Sequence, residues 1–460
     1  MRKTIKKGLA LSLVIISALE LAACGSSSTV DTTEIMSADE ITYVTDYNLI
    51  EGKPFNGTGL NVLACAAGDP QMQSAIDRVG DFTGITGIDV NWDQGDWSGL
   101  LSKMITEGGA NTNTYDIYMA YDAWGTTVRD YLMPLDDLIA RDGYDIDDFA
   151  PIYQDWSKLG TEQTLGIPYR AHFQIMFYRK DIYDELNLEI PTTWDELIEN
   201  AKIIEEKKGI KGFACPYATG SQYNLMDWYA FFFSNGGEFF DDDYNVTFNS
   251  EAGVKSLEEY TGLLTEEEIV SKDSLSWGEE ESCLALGKGE AAMMMGWSWL
   301  LSRYSDPDYC DASVLNNIGT FEVPSFDGEN EAITTTTIFI MSIPKNAKNP
   351  EASWEYIKYL CSEEQDRETI LDEVNDTVIT THKSTMQDAE LNELTNGMLQ
   401  QGYDTLEKAK AIPMIPEYTE ISYVLEEAVF NCANGADAKT ELDKAAEKAT
   451  EILKEAGYYK

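Results

Sequence analysis

Short runs of apolar and β-branched residues recur along the chain at Asn61–Ala67, Ile88–Trp92, Asp116–Tyr121, Phe173–Tyr178, Ala291–Trp297, Ile318–Val323 and Ile338–Ile343. Between them apolar positions return at three- and four-residue spacing, so strands and helices alternate and the pattern predicts α/β architecture. Two helix starts are written clearly. Thr193 with Glu196 forms a capping box before Leu197, Ile198 and Ala201, and Gly209 marks the far end. Asn349 precedes Pro350 at a first helical position, followed by Trp354, Ile357 and Cys361 on one face. A last helix over about 437–456 gathers Leu442, Ala445, Ala449, Ile452, Leu453 and Ala456 on one stripe. These stripes are read as packing faces.

The N-terminal pattern is different. Arg2, Lys3, Lys6 and Lys7 precede an uncharged apolar run from Leu9 to Leu19, the charge order and length of a secretory signal. The run falls short of the roughly 20 apolar residues that cross a bilayer. Residues 24–57 are rich in Ser, Thr, Asp and Glu without apolar periodicity and are expected to form a flexible acidic tether, with folded structure beginning near Thr58. With 460 residues, the remainder suits two domains rather than one modest core.

Composition narrows the partners. A net charge of −48 repels phosphate backbones, so no nucleic acid is expected. Apart from Cys24, the cysteines at 65, 215, 283, 310, 361 and 432 follow no framework spacing, which leaves free thiols and disulfides both open. Catalytic motifs fail on inspection. In "GWSW" Leu300 stands where a nucleophile elbow needs its second glycine. "LGKGE" lacks the upstream glycine and the Ser/Thr of a phosphate loop. His172 and His382 are the only histidines and no C-x-x-C occurs, so no zinc constellation is present. Asp241, Asp242, Asp243 and Asn245 read as an acidic hairpin turn in preference to a calcium loop. Acid pairs at glycosidase spacing are expected by chance in so acidic a chain. No catalytic residue, metal or cofactor is assigned.

Several blocks carry a resemblance. Leu21-Ala22-Ala23-Cys24-Gly25 resembles the lipobox of bacterial lipoproteins, which implies cleavage of residues 1–23 and acylation of Cys24. "GIPYRAHFQIMFYRKDIYDELNLEIPTTWDELIENAKII" (166–204), "FFFSNGGEFFDDD" (231–243), "LGKGEAAMMMGWSW" (286–299), "IPKNAKNPEASWEYIKYLCSEEQ" (343–365) and "IPMIPEYTEISYVLEEAV" (412–429) resemble, in order, bacterial extracellular solute-binding proteins, family 1. The resemblance implies a two-lobed, type II periplasmic-binding-protein-like fold with a ligand cleft between the lobes. One lobe would comprise 58–166 and 331–385, the other 167–330 and 386–460. It also implies a non-enzymatic receptor, expected to be monomeric. Anchored through Cys24 on the outer face of the cell membrane, it would deliver a sugar or oligosaccharide to the permease subunits of an ABC importer. A polyamine, peptide or anion, or surface binding without transport, stays open beside the sugar.

Sugars present hydroxyls that need paired donors and acceptors, and C–H faces that need flat aromatic surfaces. Trp297 and Trp299 follow an apolar strand across Gly296, where the resembling segment supplies a stacking aromatic; core filling is the alternative. Tyr121, Asp122 and Trp124 lie at the end of the 116–121 strand, an acceptor beside rings, though Trp124 could cap a core. Asp69 falls in the first cleft loop of the resemblance and could equally cap a helix. His172 falls in the crossing strand, where a structural role is the alternative. Tyr223 and Trp228 precede the "SNGG" turn and could line the second wall, although most rings of "WYAFFF" must be core. The "ITTTTIF" run (333–339) departs from the glycine-rich entry of the resemblance and leaves the cleft floor open.

Overall fold

The computed structural model describes residues 36–38, 41–44, 47–64, 70–95, 97–326, 328, 332–372 and 380–459. The signal segment 1–23, Cys24 and the first part of the expected tether lie outside the described residues, as do Cys65 and Asp69.

The strand-like runs form β1 (Gly59–Ala64), β2 (Asp89–Gln94), β3 (Ile117–Tyr121), β4 (Ile167–Arg179), β6 (Ala291–Trp297), β7 (Ile318–Phe321) and β8 (Thr336–Ser342), with an additional β5 (Lys211–Ala214). β5 is too short to show a period. Gly212 lets it press on the capped helix Trp194–Lys208, since a Cβ there would meet that of Ala201 at 2.3 Å.

The strands lie in the order β2-β1-β3-β8-β4-β6-β5, with β7 also on β4. β1 runs parallel to β2 and β3, whereas β8 is antiparallel to both β3 and β4. Strand β4 joins two halves. Its residues Ile167–Phe173 pair with β8, and from Gln174 it pairs with β6 and then β7. The change of partner falls inside β4, beyond the expected 166/167 boundary. Both β6 and β8 are buried along their whole length, as strands covered on both faces must be, which is why their sequences run apolar instead of alternating. The two halves, each with its own helices, make the two-lobed type II fold.

Helix ends follow the sequence. Thr193 and Glu196 form the capping box and Gly209 takes the left-handed C-cap. Pro350 opens the helix Pro350–Leu360, and Asp437 caps Ala438–Glu455. The acidic turn at 241–245 closes on itself, with the Asn245 side-chain amide donating to Asp241. The five described cysteines, 215, 283, 310, 361 and 432, are buried free thiols. Burial pushes each thiol up, which keeps them unreactive.

The tether expectation fails from Met36 onward. Leu49, Ile50 and Phe55 are core residues, and the segment is bonded to the helix Pro350–Leu360. The Met36 N–H donates to Glu351 (2.5 Å), the Ile50 N–H to Glu355 (2.7 Å), and Lys358 Nζ to the Asn48 carbonyl (2.6 Å). At the centre lies Asp142, which accepts from Arg141 (2.5 Å), Lys358 (2.7 Å), Trp354 Nε1 (2.8 Å) and Tyr43 (2.6 Å). Burial alone would raise its carboxyl, but Arg141, Lys358 and Tyr43 hold it down at about 2. Short polar stretches without a period hid these anchors, because their partners lie about three hundred positions away in sequence.

His382 secures the chain where it returns toward β4. Its Nδ1 meets Asp148 at 2.9 Å and its Nε2 meets the Cys361 carbonyl at 3.0 Å. Both partners accept, so both ring nitrogens donate and the imidazole is held as the cation. Burial pulls its pKa down, but the bond to Asp148 and the charge of Asp366 outweigh it and the net shift is upward. A raised pKa contributes stability that is complete below the unfolded value of about 6.5 and is lost as pH climbs through the folded value. The urea midpoint of the wild type, measured against His382→Gln, should therefore lose its advantage as pH rises above about 6.5. An advantage that is unchanged as pH rises would rule out the cationic form.

Candidate functional site

Registry builds the site. In the β3-β8-β4 ribbon Tyr121 pairs with Phe339, and Phe339 pairs with Arg170, so three side chains form a row across one face. His172 pairs with Thr337 one step along the same face. A β-bulge between Pro168 and Arg170 inserts one residue, and the parity it sets turns Arg170 and His172 toward this side. Farther on, Gln174 pairs with Trp297, the last residue of β6.

These residues line a cavity of about 490 Å³. Trp124 enters from the helix Asp122–Val128, Leu101 from Trp97–Ala110, Tyr223 and Met226 from Tyr223–Ser234, and Thr419 and Tyr423 from Tyr418–Ala433. Trp299 projects from the turn after β6, and the turn Gly220, Ser221 and Gln222 closes one wall. Both sheet halves contribute, so the cavity lies where β4 passes from one to the other.

The rings pack tilted or edge to face, and cations lie over two of them. Tyr121 lies 4.9 Å from Phe339 and 5.9 Å from Trp124, and His172 meets Trp299 at 6.5 Å. The Arg170 guanidinium sits 5.2 Å from the Phe339 ring, and that of Arg303 sits 4.7 Å from Trp299. Arg170 Nε donates to His172 Nε2 at 3.2 Å. Burial, aided by the Arg170 charge, holds the His172 pKa well below its ordinary value. The ring is therefore neutral with its proton on Nδ1, an atom without a hydrogen-bond partner among the described residues. Behind Tyr223 lies Glu279, whose carboxyl burial pushes up to about 7 against the opposing pull of Tyr223 and Arg303. The cavity thus combines flat aromatic faces with sparse donors and acceptors from Arg170, Ser221, Gln222, Thr337 and Thr419. Such a lining suits a polar molecule with apolar C–H faces.

Of the residues singled out in the sequence, Tyr121, Trp124, His172, Tyr223, Trp297 and Trp299 all line this cavity. Trp228 does not: it is 0 % exposed, and its indole N–H donates to Ser256 at 3.1 Å. On its helix Tyr223 and Met226 share the cavity face, and Trp228, two positions after Met226, points to the core. Asp69 and the side chain of Asp122 lie outside the described residues. Arg170, Thr337, Phe339, Thr419 and Tyr423 were missed. Arg170 could have been found from His172 by the two-residue period of a strand. Thr337 and Phe339 lie in the departing "ITTTTIF" run, and their role depends on register. Among the described residues no group of three His, Cys, Asp or Glu side chains could hold a metal ion.

A two-lobed α/β protein with an aromatic cavity at its crossing strand belongs to the class of cleft-binding receptors. The model of the bacterial extracellular solute-binding protein family matches residues 67–367, and the chain belongs to that family. It is 25% identical over 280 residues to a probable amino-acid ABC transporter periplasmic-binding protein of Sinorhizobium fredii, a match covering 59% of this chain and 63% of that protein. The chain thus spans less than two thirds of that relative's length. An ABC transporter solute-binding protein of Agrobacterium radiobacter K84, solved in complex with ribitol, superposes with a TM-score of 0.73 at 27% identity, over 87% of this chain and 100% of that one. The solute-binding protein of Agrobacterium vitis S4 with bound D-mannitol gives a TM-score of 0.70 at 22% identity, over 88% and 100% of the two chains, a likeness of fold. Family and structural neighbours are binding proteins rather than enzymes.

Proposed function

We propose that this protein is the receptor of an ABC importer, that it binds a sugar or sugar alcohol in the cavity at the crossing strand, and that it delivers the molecule to the permease subunits. The observation that carries this reading is the row Tyr121, Phe339 and Arg170 lining one cavity together with Trp297 and Trp299. The ribitol complex of the Agrobacterium radiobacter neighbour supports it. The receptor acts as a monomer, without cofactor or catalysis, and the acylated Cys24 holds it on the outer face of the membrane.

A thermal-shift panel of ribitol, mannitol, maltose, amino acids and polyamines tests the ligand class. A true ligand at about 100 times its Kd adds about 2.7 kcal/mol to folded stability. Shifts confined to amino acids, the class named for the Sinorhizobium relative, would replace the sugar reading with that one. For the anchor, Cys24→Ala is expected to move the protein from the membrane fraction to the medium. A wild-type chain that is already soluble and unacylated would end that part of the proposal.

A further inference from the structure

One wall of the cavity is made by Gly220, Ser221 and Gln222, and its backbone shape is costly to hold. Gly220 and Gln222 both have positive φ, 96° and 64°, a region disfavoured for a residue with a side chain such as Gln222. In that conformation the three successive N–H groups converge on one point, the arrangement of an anion-binding nest. The point is occupied from within the protein. Oε1 of Glu426 accepts from Gly220 at 3.0 Å, from Ser221 at 3.1 Å and from Gln222 at 2.5 Å.

Glu426 is 1% exposed and does not line the cavity; it stands behind the wall, on the helix Tyr418–Ala433. The same helix sends Thr419 and Tyr423 into the cavity. A second tie runs beside the first: Asn224 Nδ2, two residues past the nest, donates to the Glu426 carbonyl at 3.2 Å. Side chain and main chain of one residue thus lock the loop to the helix. Two parts of the wall, more than two hundred positions apart, are coupled through a single carboxylate.

We infer that Glu426 is a positioning residue for ligand binding. Its carboxylate presets the Gly220–Gln222 wall in its left-handed shape and fixes that wall relative to Thr419 and Tyr423. This rests on the cavity being the ligand site, as proposed above. Without the carboxylate three converging N–H donors lose their acceptor, and the Gln222 backbone relaxes to an ordinary φ. The ligand must then order the wall when it binds, which weakens affinity.

Amide hydrogen exchange of the ligand-free protein tests the preset shape. Glu426→Ala should exchange at least tenfold faster in the peptide covering 218–224, with exchange of β1, β3 and β8 unchanged. Added formate, a carboxylate small enough to refill the nest, should slow it again where chloride does not. Glu426→Met, which nearly keeps the volume but offers no oxygen acceptor, serves if the alanine variant does not fold. In parallel, ribitol is titrated into wild type and variant, and a tenfold or greater loss of affinity, restored by formate, is expected. Unchanged exchange at 218–224 overturns the inference. So does exchange that speeds up everywhere, which marks a merely structural residue, and so does equal ribitol affinity. If the wild type binds no ribitol, the proposed ligand class fails at that probe, and the exchange and formate results alone decide the role of Glu426.

Discussion

Trp299→Ala is expected to bind the solute that stabilises the wild type about thirtyfold more weakly, a loss of about 2 kcal/mol, typical for an aromatic anchor. The ring is only partly buried, projects beyond β6, and has Arg303 on one side at 4.7 Å. The guanidinium fixes the plane of the ring, and the cavity side is left for stacking. Because the ring is only partly buried at the edge of the core, the ligand-free urea midpoint should fall less than for a fully buried tryptophan. Trp297 differs: at 5% exposure and paired with Gln174 inside the sheet, its truncation should cost about 3–5 kcal/mol of stability in addition to affinity. Calorimetric titration and urea unfolding of both variants separate the two roles. If Trp299→Ala binds as the wild type does, the stacking role is lost and Trp124 takes its place as the leading candidate.

Asp142→Ala is expected to cost about 3–5 kcal/mol of folding stability, the range seen when one member of a buried ion pair is removed. Asp142 and Lys358 have 0% side-chain exposure and lie 2.7 Å apart; without Asp142, Lys358 keeps only Glu355 at 2.7 Å and Arg141 only Glu351 at 2.6 Å. Much of the loss is the Trp354 N–H and Tyr43 hydroxyl left without their acceptor inside the fold. Asp142→Asn, which keeps an acceptor oxygen for them, should lose less. Urea unfolding measures both, and an Asp142→Ala midpoint equal to wild type would show that solvent reaches the cluster. Ligand affinity should be unchanged, because neither residue lines the cavity.

What was legible in the sequence follows from the range of each signal. The capping box at Thr193 and the first-turn proline at Pro350 are local signals, and the helices begin there, although the Asn349 side chain makes no cap and donates to Asp116 instead. The apolar runs became strands because β-branched and aromatic residues fit a pleated surface whatever their neighbours. Site residues at strand ends, Tyr121 and Trp297, were visible because ligands gather beyond such ends in α/β sheets. The rest depends on partners far along the chain. Phe339 and Thr337 face the cavity only because β8 takes its register from β3 and β4 together. Trp228 looked like Tyr223 until the helix phase set one outward and the other inward. Met36, Asn48 and Ile50 looked like linker because their backbone groups are satisfied by a helix from the other end of the sequence.

That last seam also sets where a mechanical load would be felt. A pull on the chain ahead of Met36 is taken up by Glu351, Glu355 and Lys358 on the helix Pro350–Leu360. Several buried bonds share it in shear. None of these residues lines the cavity, so tension along the N-terminal lead is borne by the frame of one half and does not reach the binding walls through these bonds.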